Sequence, residues 1–216
     1  MIHMFARRKV CRTFACQIIG VAAMAFALPK AGATAVEPVG AEGVSVQKVY
    51  APDHRSFAFI RHTPEVLIDT GIGELEAAEI WTSRSDGSDA KLLLRGRPGK
   101  TPQETLAELS EIQFSPDGRQ LFFLSAAWTT SGAVHVVQVD SGEEHFVCPG
   151  NSLEVIQRGK YAGYLMVRQH RYAMGGGSYD WLWLLTPEGK DVAPISMDDD
   201  AATEMFRKMY VDPAGR

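Results

Sequence analysis

The alternation of apolar and polar positions predicts a chain built mostly of short β-strands. Residues 44–50 alternate in the manner of a strand with one buried face, and Ala51, Pro52 and Asp53 then interrupt the pattern. A second apolar run follows at 56–60. Because this order of run, turn and run returns further along the chain, the pattern predicts antiparallel strands joined by short turns.

The clearest pair of runs flanks the tetrapeptide Ser115–Gly118. Pro116 presets φ for the second position of a type I turn, Asp117 can accept hydrogen bonds from nearby backbone amides, and Gly118 suits the last position. The segment therefore predicts strand, turn and strand, and it provides the register against which the rest of the chain can be aligned.

Three copies of a four-stranded unit can be aligned on such turns. Pro52 and Pro116 hold matching positions 64 residues apart, and Gly142 and Gly189 do so 47 residues apart. One four-stranded unit per repeat is typical of β-propeller blades rather than of a β-sandwich. We therefore expect an all-β, β-propeller-like fold of about three four-stranded antiparallel blades. The predicted strands are 44–50, 56–60, 79–84 and 90–94; 110–114, 120–125, 133–139 and 143–147; and 153–156, 161–167, 181–185 and 191–195.

Two of these motifs carry a family resemblance. Phe114–Arg119 followed by an apolar strand, and Ile80–Ser88 followed by Leu92, resemble the repeats of TolB-type β-propellers. The resemblance covers roughly residues 44–196, and it is weakest in the third copy, whose turn lacks the Pro and the Asp. Proteins similar in these motifs are exported propellers that bind other proteins, or propeller domains that precede a peptidase domain. The resemblance thus implies blades and leaves the activity open.

A short C-terminal helix is predicted after the last strand. Met205 and Met209, like Phe206 and Tyr210, recur at a spacing of four residues after a run of aspartates. Acidic residues before such stripes suit a helix start, and we expect the helix to dock by its Met and Phe side chains. The predicted organisation is a signal peptide at 1–35, a flexible leader at 36–43, the blade domain at 44–196, and an acidic turn with the helix at 197–216.

Residues 1–35 have the pattern of a secretory signal peptide. Arg7 and Arg8 are among the basic residues that precede the apolar run 17–28, and Ala33–Ala35 provide the small residues that a signal peptidase needs. We expect cleavage after Ala35, a periplasmic or secreted protein, and no stable membrane insertion thereafter. Retention of the run as an anchor is the alternative, although the run is short for a bilayer span.

Removal of this segment changes the charge. The whole chain has 22 basic and 26 acidic residues, and the segment holds five basic and no acidic ones, which leaves 17 against 26 and a net charge of −9. Such a balance argues against a nucleic-acid or anionic-membrane partner. Cys11 and Cys16 also lie in the segment, so Cys148 alone would remain, as a buried thiol without an internal disulfide.

The lengths of the predicted connections favour one end of the strands as the working face. The tight turns lie at one end, whereas 63–78, 96–108, 126–132 and 169–180 read as long loops, where binding groups concentrate. The last of these combines aromatic residues, arginine and three consecutive glycines, which either let the backbone approach a partner or only let a long hairpin turn. The candidate binding residues are His62, Asp69, Trp128, His170, Arg171, Tyr172 and Tyr179.

One segment partly matches a hydrolase motif. Gly176–Asp180 resembles the nucleophile segment of prolyl-oligopeptidase-type hydrolases, and Ser178, His170 and Asp180 would form its triad. A glycine is required where Asp180 stands, and no βαβ pattern follows, so we expect no catalytic residues.

A few histidine and acidic residues raise the question of a metal site. His62 and His170 hold matching places in two copies, and Asp69 and Glu74 lie in the first long loop. None of them has the spacing of metal ligands. We therefore expect no metal and no cofactor.

Three functional hypotheses remain. The first is a non-enzymatic exported protein that binds a protein or peptide partner in the cell envelope through its long loops. The second is a hydrolase or lyase with a site on the blade loops, for which His62, His170, Arg171 and Tyr172 would be tested. The third is structural: closed rings usually have about four to eight blades, so three blades would be completed by self-association, for example as a homodimer.

Overall fold

The computed structural model describes residues 48–197 and 200–211, which belong to one compact unit. The predictions for 1–35, for 36–43 and for the start of the first strand fall outside the described residues, as do those for 198–199 and 212–216. Within the described part of the chain, no helix is long and apolar enough to cross a membrane.

Three four-stranded antiparallel sheets make up most of the described chain, as predicted. The strands of each sheet neighbour one another in chain order, so each sheet is a simple meander. The first sheet consists of β1 (Lys48–Tyr50), β2 (Ser56–Asp69), β3 (Glu74–Arg84) and β4 (Lys91–Arg95). The second consists of β5 (Ser110–Phe114), β6 (Gln120–Ser125), β7 (Gly132–Gln138) and β8 (Glu144–Gly150). The third consists of β9 (Ser152–Val155), β10 (Leu165–Tyr172), β11 (Ser178–Leu185) and β12 (Asp191–Ser196).

The turn Ser115–Gly118 forms the hydrogen bonds that its sequence predicts. Gly118 N donates to Ser115 O over 2.9 Å, and the Asp117 carboxylate accepts from the Ser115 hydroxyl at 2.6 Å and from the Arg119 amide at 3.1 Å. The hydroxyl contributes most to lowering the pKa of Asp117. Gly118 has a φ of +71°, which glycine adopts at little cost. The turn thus fixes the register of β5 against β6.

The sheets pack face to face in succession. Phe123 of the second sheet shares a core with Ile80 of the first, and Phe122 shares another with Leu165 of the third. Since successive residues of a strand point to opposite faces, the apolar run Leu121–Leu124 supplies both cores. Three meander sheets packed in this way are arranged as the blades of a β-propeller.

Side chains join the first strands of the second and third sheets. Gln113 Nε2 on β5 donates to Leu153 O at 2.7 Å, and its Oε1 accepts from Val155 N at 2.9 Å. Beside it, Glu111 accepts from Leu153 N at 2.7 Å. These two side chains take the role that a paired strand would have, and they satisfy the β9 backbone groups that face β5.

The predicted terminal helix is confirmed, but the expected docking side is only partly correct. Phe206 stacks on Tyr161, and Val211 is buried against the third sheet, whereas Met205 and Met209 are each 56% exposed. Two stripes spaced at four residues lie side by side on one helix, and spacing alone does not indicate which of them is buried. The segment consists of α1 (Asp200–Phe206) and a π-helical turn (Arg207–Val211).

Two of the predicted long loops are mostly strand. β2 and β3 extend the first hairpin until only residues 70–73 remain as its turn, and β10 and β11 likewise reduce the other loop to 173–177. A bulge between Thr63 and Leu67 breaks the alternation of the first hairpin. The prediction of loops at 63–78 and 169–180 was therefore wrong, because a bulge and a glycine run hid the strand pattern on either side of them.

Candidate functional site

The long connections emerge at one end of the three sheets, which we call the long-loop face. Hydrogen bonds tie its segments together: Ala126 N donates to Ala107 O at 2.9 Å, and Gly132 N donates to the Asn151 side chain at 2.9 Å. Neighbouring sheets are therefore linked at this end. The face comprises the hairpin ends 70–73, 126–131 and 173–177 and the connections 96–109 and 151.

The predicted binding residues His62 and Asp69 lie on the β2–β3 hairpin, as exposed strand residues rather than loop residues. Asp69 Oδ1 accepts from Gly71 N at 2.9 Å, and Thr70 Oγ1 donates to Gly73 O at 2.7 Å. Asp69 thus shapes the tight turn at the end of the hairpin, whereas His62 lies midway along it, opposite Ala78.

The same hairpin exposes apolar side chains. Ile68 is 3% exposed and packs on Ala77, but Val66, Leu67 and Ile72 are 50%, 54% and 54% exposed. Grouped apolar side chains that the fold leaves uncovered mark an interaction surface more often than scattered ones do. None of these three residues is among the predicted binding residues, which are all polar or aromatic.

The β10–β11 hairpin carries His170 and Tyr172 on one face of β10. His170 Nδ1 lies 3.0 Å from Asp180 Oδ1, and its ring meets that of Tyr172 edge to face at 5.2 Å. Tyr172 is 74% exposed, and Met174 at the tip is fully exposed. Gly176–Gly177 close the tip with φ values of +94° and +83°. The glycines therefore serve the turn, and the exposed side chains beside them are the ones available for contacts.

Arg171 points to the other face of the same strand, where its side chain is ion-paired and hydrogen-bonded within the third sheet. Its guanidinium forms an ion pair with Asp191 at 2.6 Å, donates to Gln169, and lies over the Trp183 ring at 3.6 Å. Tyr179, opposite Arg171 in the ladder, packs on Trp181 at 5.7 Å. Both predicted binding residues are thus largely engaged within the third sheet.

Trp128 lies in the β6–β7 connection, which remains a loop as predicted. Its amide donates to Ser131 O at 2.8 Å, and its ring meets Phe146 edge to face at 6.3 Å. Asn151 from the next connection donates to Thr130 O at 3.0 Å. The structure therefore places Trp128 on the long-loop face, half-buried and partly committed to packing.

The residues of the hydrolase hypothesis, Ser178, His170 and Asp180, lie on the β10–β11 hairpin. Ser178 is the first residue of β11 and pairs with Tyr172, whereas a nucleophile elbow lies between a strand and a helix. Among the described residues, no group of three His, Cys, Asp or Glu side chains could hold a metal ion.

A buried polar cluster in the second sheet contains none of the predicted binding residues. Glu144, whose side chain is 8% exposed, contacts His135 Nδ1 at 2.7 Å and Arg97 at 2.6 Å. Burial opposes the ionisation of Glu144, but the hydrogen bonds from His135 and Arg97 outweigh it, so the pKa of Glu144 is lowered. The one signal in the sequence was a histidine inside the apolar strand β7.

Cys148 is buried, as predicted, in the core between the second and third sheets. Burial raises the pKa of its thiol to about 12, so the thiol stays protonated at neutral pH. A protonated and enclosed thiol is a poor nucleophile, which agrees with a packing role.

A shallow cleft of about 270 Å³ opens on the long-loop face, at the end of the second sheet. Its wall includes Glu108, Ser110, Gly132 and Asn151. Glu108 has a φ of +50°, an uncommon conformation for a residue with a side chain. None of the predicted binding residues is among those that line this cleft.

Comparison with known proteins finds related folds only among solved structures. No family model and no curated protein matches the chain. TolB from Acinetobacter baumannii is similar at 13% identity with a TM-score of 0.47, over 72% of this chain and 33% of that one. An oligogalacturonate lyase in complex with manganese is similar at 12% identity with a TM-score of 0.44, over 71% and 36%. The β-propeller domain of the Trilobed protease from Pyrococcus furiosus is similar at 8% identity with a TM-score of 0.41, over 69% and 42%, so the chain spans less than half of each.

Proposed function

We propose that this chain is an exported, non-enzymatic propeller-like protein that binds a protein or peptide partner in the cell envelope through its long-loop face. Export is supported by the signal-like pattern of residues 1–35. The non-enzymatic part is supported by Arg171, one of the residues named for the enzyme hypothesis. Its guanidinium is engaged in contacts within the third sheet.

The observation that carries the proposal is the exposure of large apolar side chains on two projecting hairpins. Val66, Leu67 and Ile72 on one hairpin and Tyr172 and Met174 on the other are between 50% and fully exposed. Each lies at or near the end of its hairpin, where a partner can reach it without disturbing the sheet cores. Burial of such side chains is the main source of affinity in protein interfaces.

The test is capture of partners from the native envelope fraction by cross-linking. Two double variants remove the apolar contacts, Leu67→Ser/Ile72→Ser and Tyr172→Ser/Met174→Ser. Each is expected to reduce capture about ten-fold or more, because truncation of a central apolar contact costs roughly 1–2 kcal/mol. Arg171 is left unchanged, since its loss would perturb the third sheet itself.

Met205→Ser/Met209→Ser is the matched control, because these residues are 56% exposed and lie on the terminal helical segment. All variants are expected to keep the melting temperature of the wild type within a few degrees. Unchanged capture by both hairpin variants, or an equal loss in the control, would contradict the proposal.

A further inference from the structure

We infer that the β2–β3 hairpin recognises a segment of a protein partner that combines basic with apolar side chains. This inference rests on the proposed function and deepens it by giving the chemistry of the partner. It depends on which side chains of the hairpin face solvent, and on which of their charges are already balanced.

Two exposed apolar side chains lie close to the tip of the hairpin. Leu67 lies directly opposite Glu76 across the hairpin, and Ile72 lies in the turn that joins the two strands. Both apolar side chains are 54% exposed. Beneath them Ile68, only 3% exposed, anchors the hairpin to the fold. The exposed apolar groups are thus presented on a supported element and not on a free tail.

The negative charge near the tip of the hairpin favours partners that carry basic as well as apolar side chains. Residues 63–76 contain four carboxylates and no lysine or arginine. All four are exposed, and in the described parts of the chain none of them takes part in an ion pair. An acidic partner would be repelled, and a basic one would gain complementary contacts. These carboxylates are Glu65, Asp69, Glu74 and Glu76.

The β10–β11 hairpin differs in this respect. His170 is paired with Asp180 at 3.0 Å, and Arg171 with Asp191 at 2.6 Å. On that hairpin the polar side chains beside the apolar ones already have partners, whereas the β2–β3 hairpin offers apolar contacts beside carboxylates that form no ion pair among the described residues. The preference for a basic segment belongs to the β2–β3 hairpin.

The experiment uses three short fluorescent peptides and the full chain. The first peptide alternates Lys with Leu or Val, the second has Glu in place of Lys, and the third has Ser in place of the apolar residues. Binding is measured by fluorescence anisotropy at low and high salt. We expect the Lys/apolar peptide to bind best, and to bind more weakly in high salt because exposed charge pairs are screened.

Two matched variants assign the effect to the hairpin. Glu74→Gln/Glu76→Gln removes two of its carboxylates, and Glu143→Gln/Glu188→Gln removes two exposed carboxylates from the turns at the opposite end of the strands. The first variant is expected to weaken binding of the Lys/apolar peptide about five-fold at low salt. The second is expected to bind like the wild type.

Equal binding of the Glu and Lys peptides, or equal weakening in the two variants, would overturn the inference. So would failure of every peptide to bind. If no peptide binds while capture from the envelope fraction still depends on Leu67 and Ile72, the basic chemistry is wrong and the proposed function stands. If capture is also independent of these residues, both are wrong.

Discussion

Glu144 connects the neighbouring strands β7 and β8 with a segment 47 residues earlier in the chain. Its carboxylate holds His135 from β7 and Arg97 from the connection between the first two sheets. His135 is completely buried and stacks on Phe123 at 5.3 Å. A buried carboxylate with two partners stabilises the fold only while it is ionised, so its contribution depends on pH.

We expect Glu144→Gln to lower the free energy of unfolding by about 2 kcal/mol at pH 7, because hydrogen bonds to a charged group are lost. The pKa of Glu144 is lowered in the folded chain from the ordinary value of 4.5. The wild type therefore holds its advantage above about pH 4.5 and loses it as the pH falls through the lowered pKa. Urea unfolding at pH 7, 5 and 3 measures both effects.

Glu143→Gln, which changes the exposed neighbour, is the control and should have little effect at any of these pH values. An energy difference between wild type and Glu144→Gln that stays constant from pH 7 to pH 3 would show that ionisation of Glu144 does not stabilise the fold.

At the scale of elements, the joint between the second and third sheets depends on Gln113. Its side chain both donates to and accepts from the β9 backbone. Among the strands that the structure describes, none pairs with this edge of β9, and β5 and β9 lie side by side without a shared ladder. The side chain thus replaces part of a strand pairing.

We expect Gln113→Ala to lower the free energy of unfolding by about 1–3 kcal/mol, because it leaves Leu153 O and Val155 N without these partners. Gln138→Ala is the control at a half-buried end of β7, where no side-chain hydrogen bond is present among the described residues. Urea denaturation of the three proteins tests this. Equal stability of the two variants would show that water replaces the Gln113 bonds at no cost.

Some elements of the fold could be predicted from the sequence pattern and others could not. The turn Ser115–Gly118 was predictable in detail, because each of its residues acts locally. The blade count followed from repetition of such turns. The length of the β2–β3 hairpin was not predictable, since the bulge after Thr63 breaks the alternation that would reveal a strand. The exposure of Leu67 and Ile72 depends on what the other sheets leave uncovered, which no local pattern contains.

For the whole molecule, the terminal segment determines which sheet faces are available. Phe206 and Val211 pack with Met166 and Leu184 on the face of the third sheet that points away from the second. The predicted self-association, if it pairs one chain's third sheet with another chain's first, would have to displace this segment. The homodimer remains a prediction. Because the terminal segment covers this face of the third sheet, we expect a homodimer to form through other surfaces.

Phe206→Asp should loosen the segment and uncover that apolar face, since a charge cannot replace the stacking of Phe206 on Tyr161. We expect the mean mass measured by light scattering to rise with concentration more steeply than for the wild type. Met205→Asp, at an exposed neighbouring position, should scatter like the wild type. Masses for Phe206→Asp that match the wild type at every concentration would contradict this role of the segment.

The hydrogen bonds from β9 to the Glu111 and Gln113 side chains allow two motions to be measured separately, the opening between two blades and the unfolding of one blade. The amides of Leu153 and Val155 are held by those side chains, and not by the neighbouring strand β10. Their exchange with solvent deuterium therefore follows the parting of two blades, while ladder amides inside the third sheet follow the unfolding of a blade. Opening between blades and melting of a blade thus have separate reporters within one short strand.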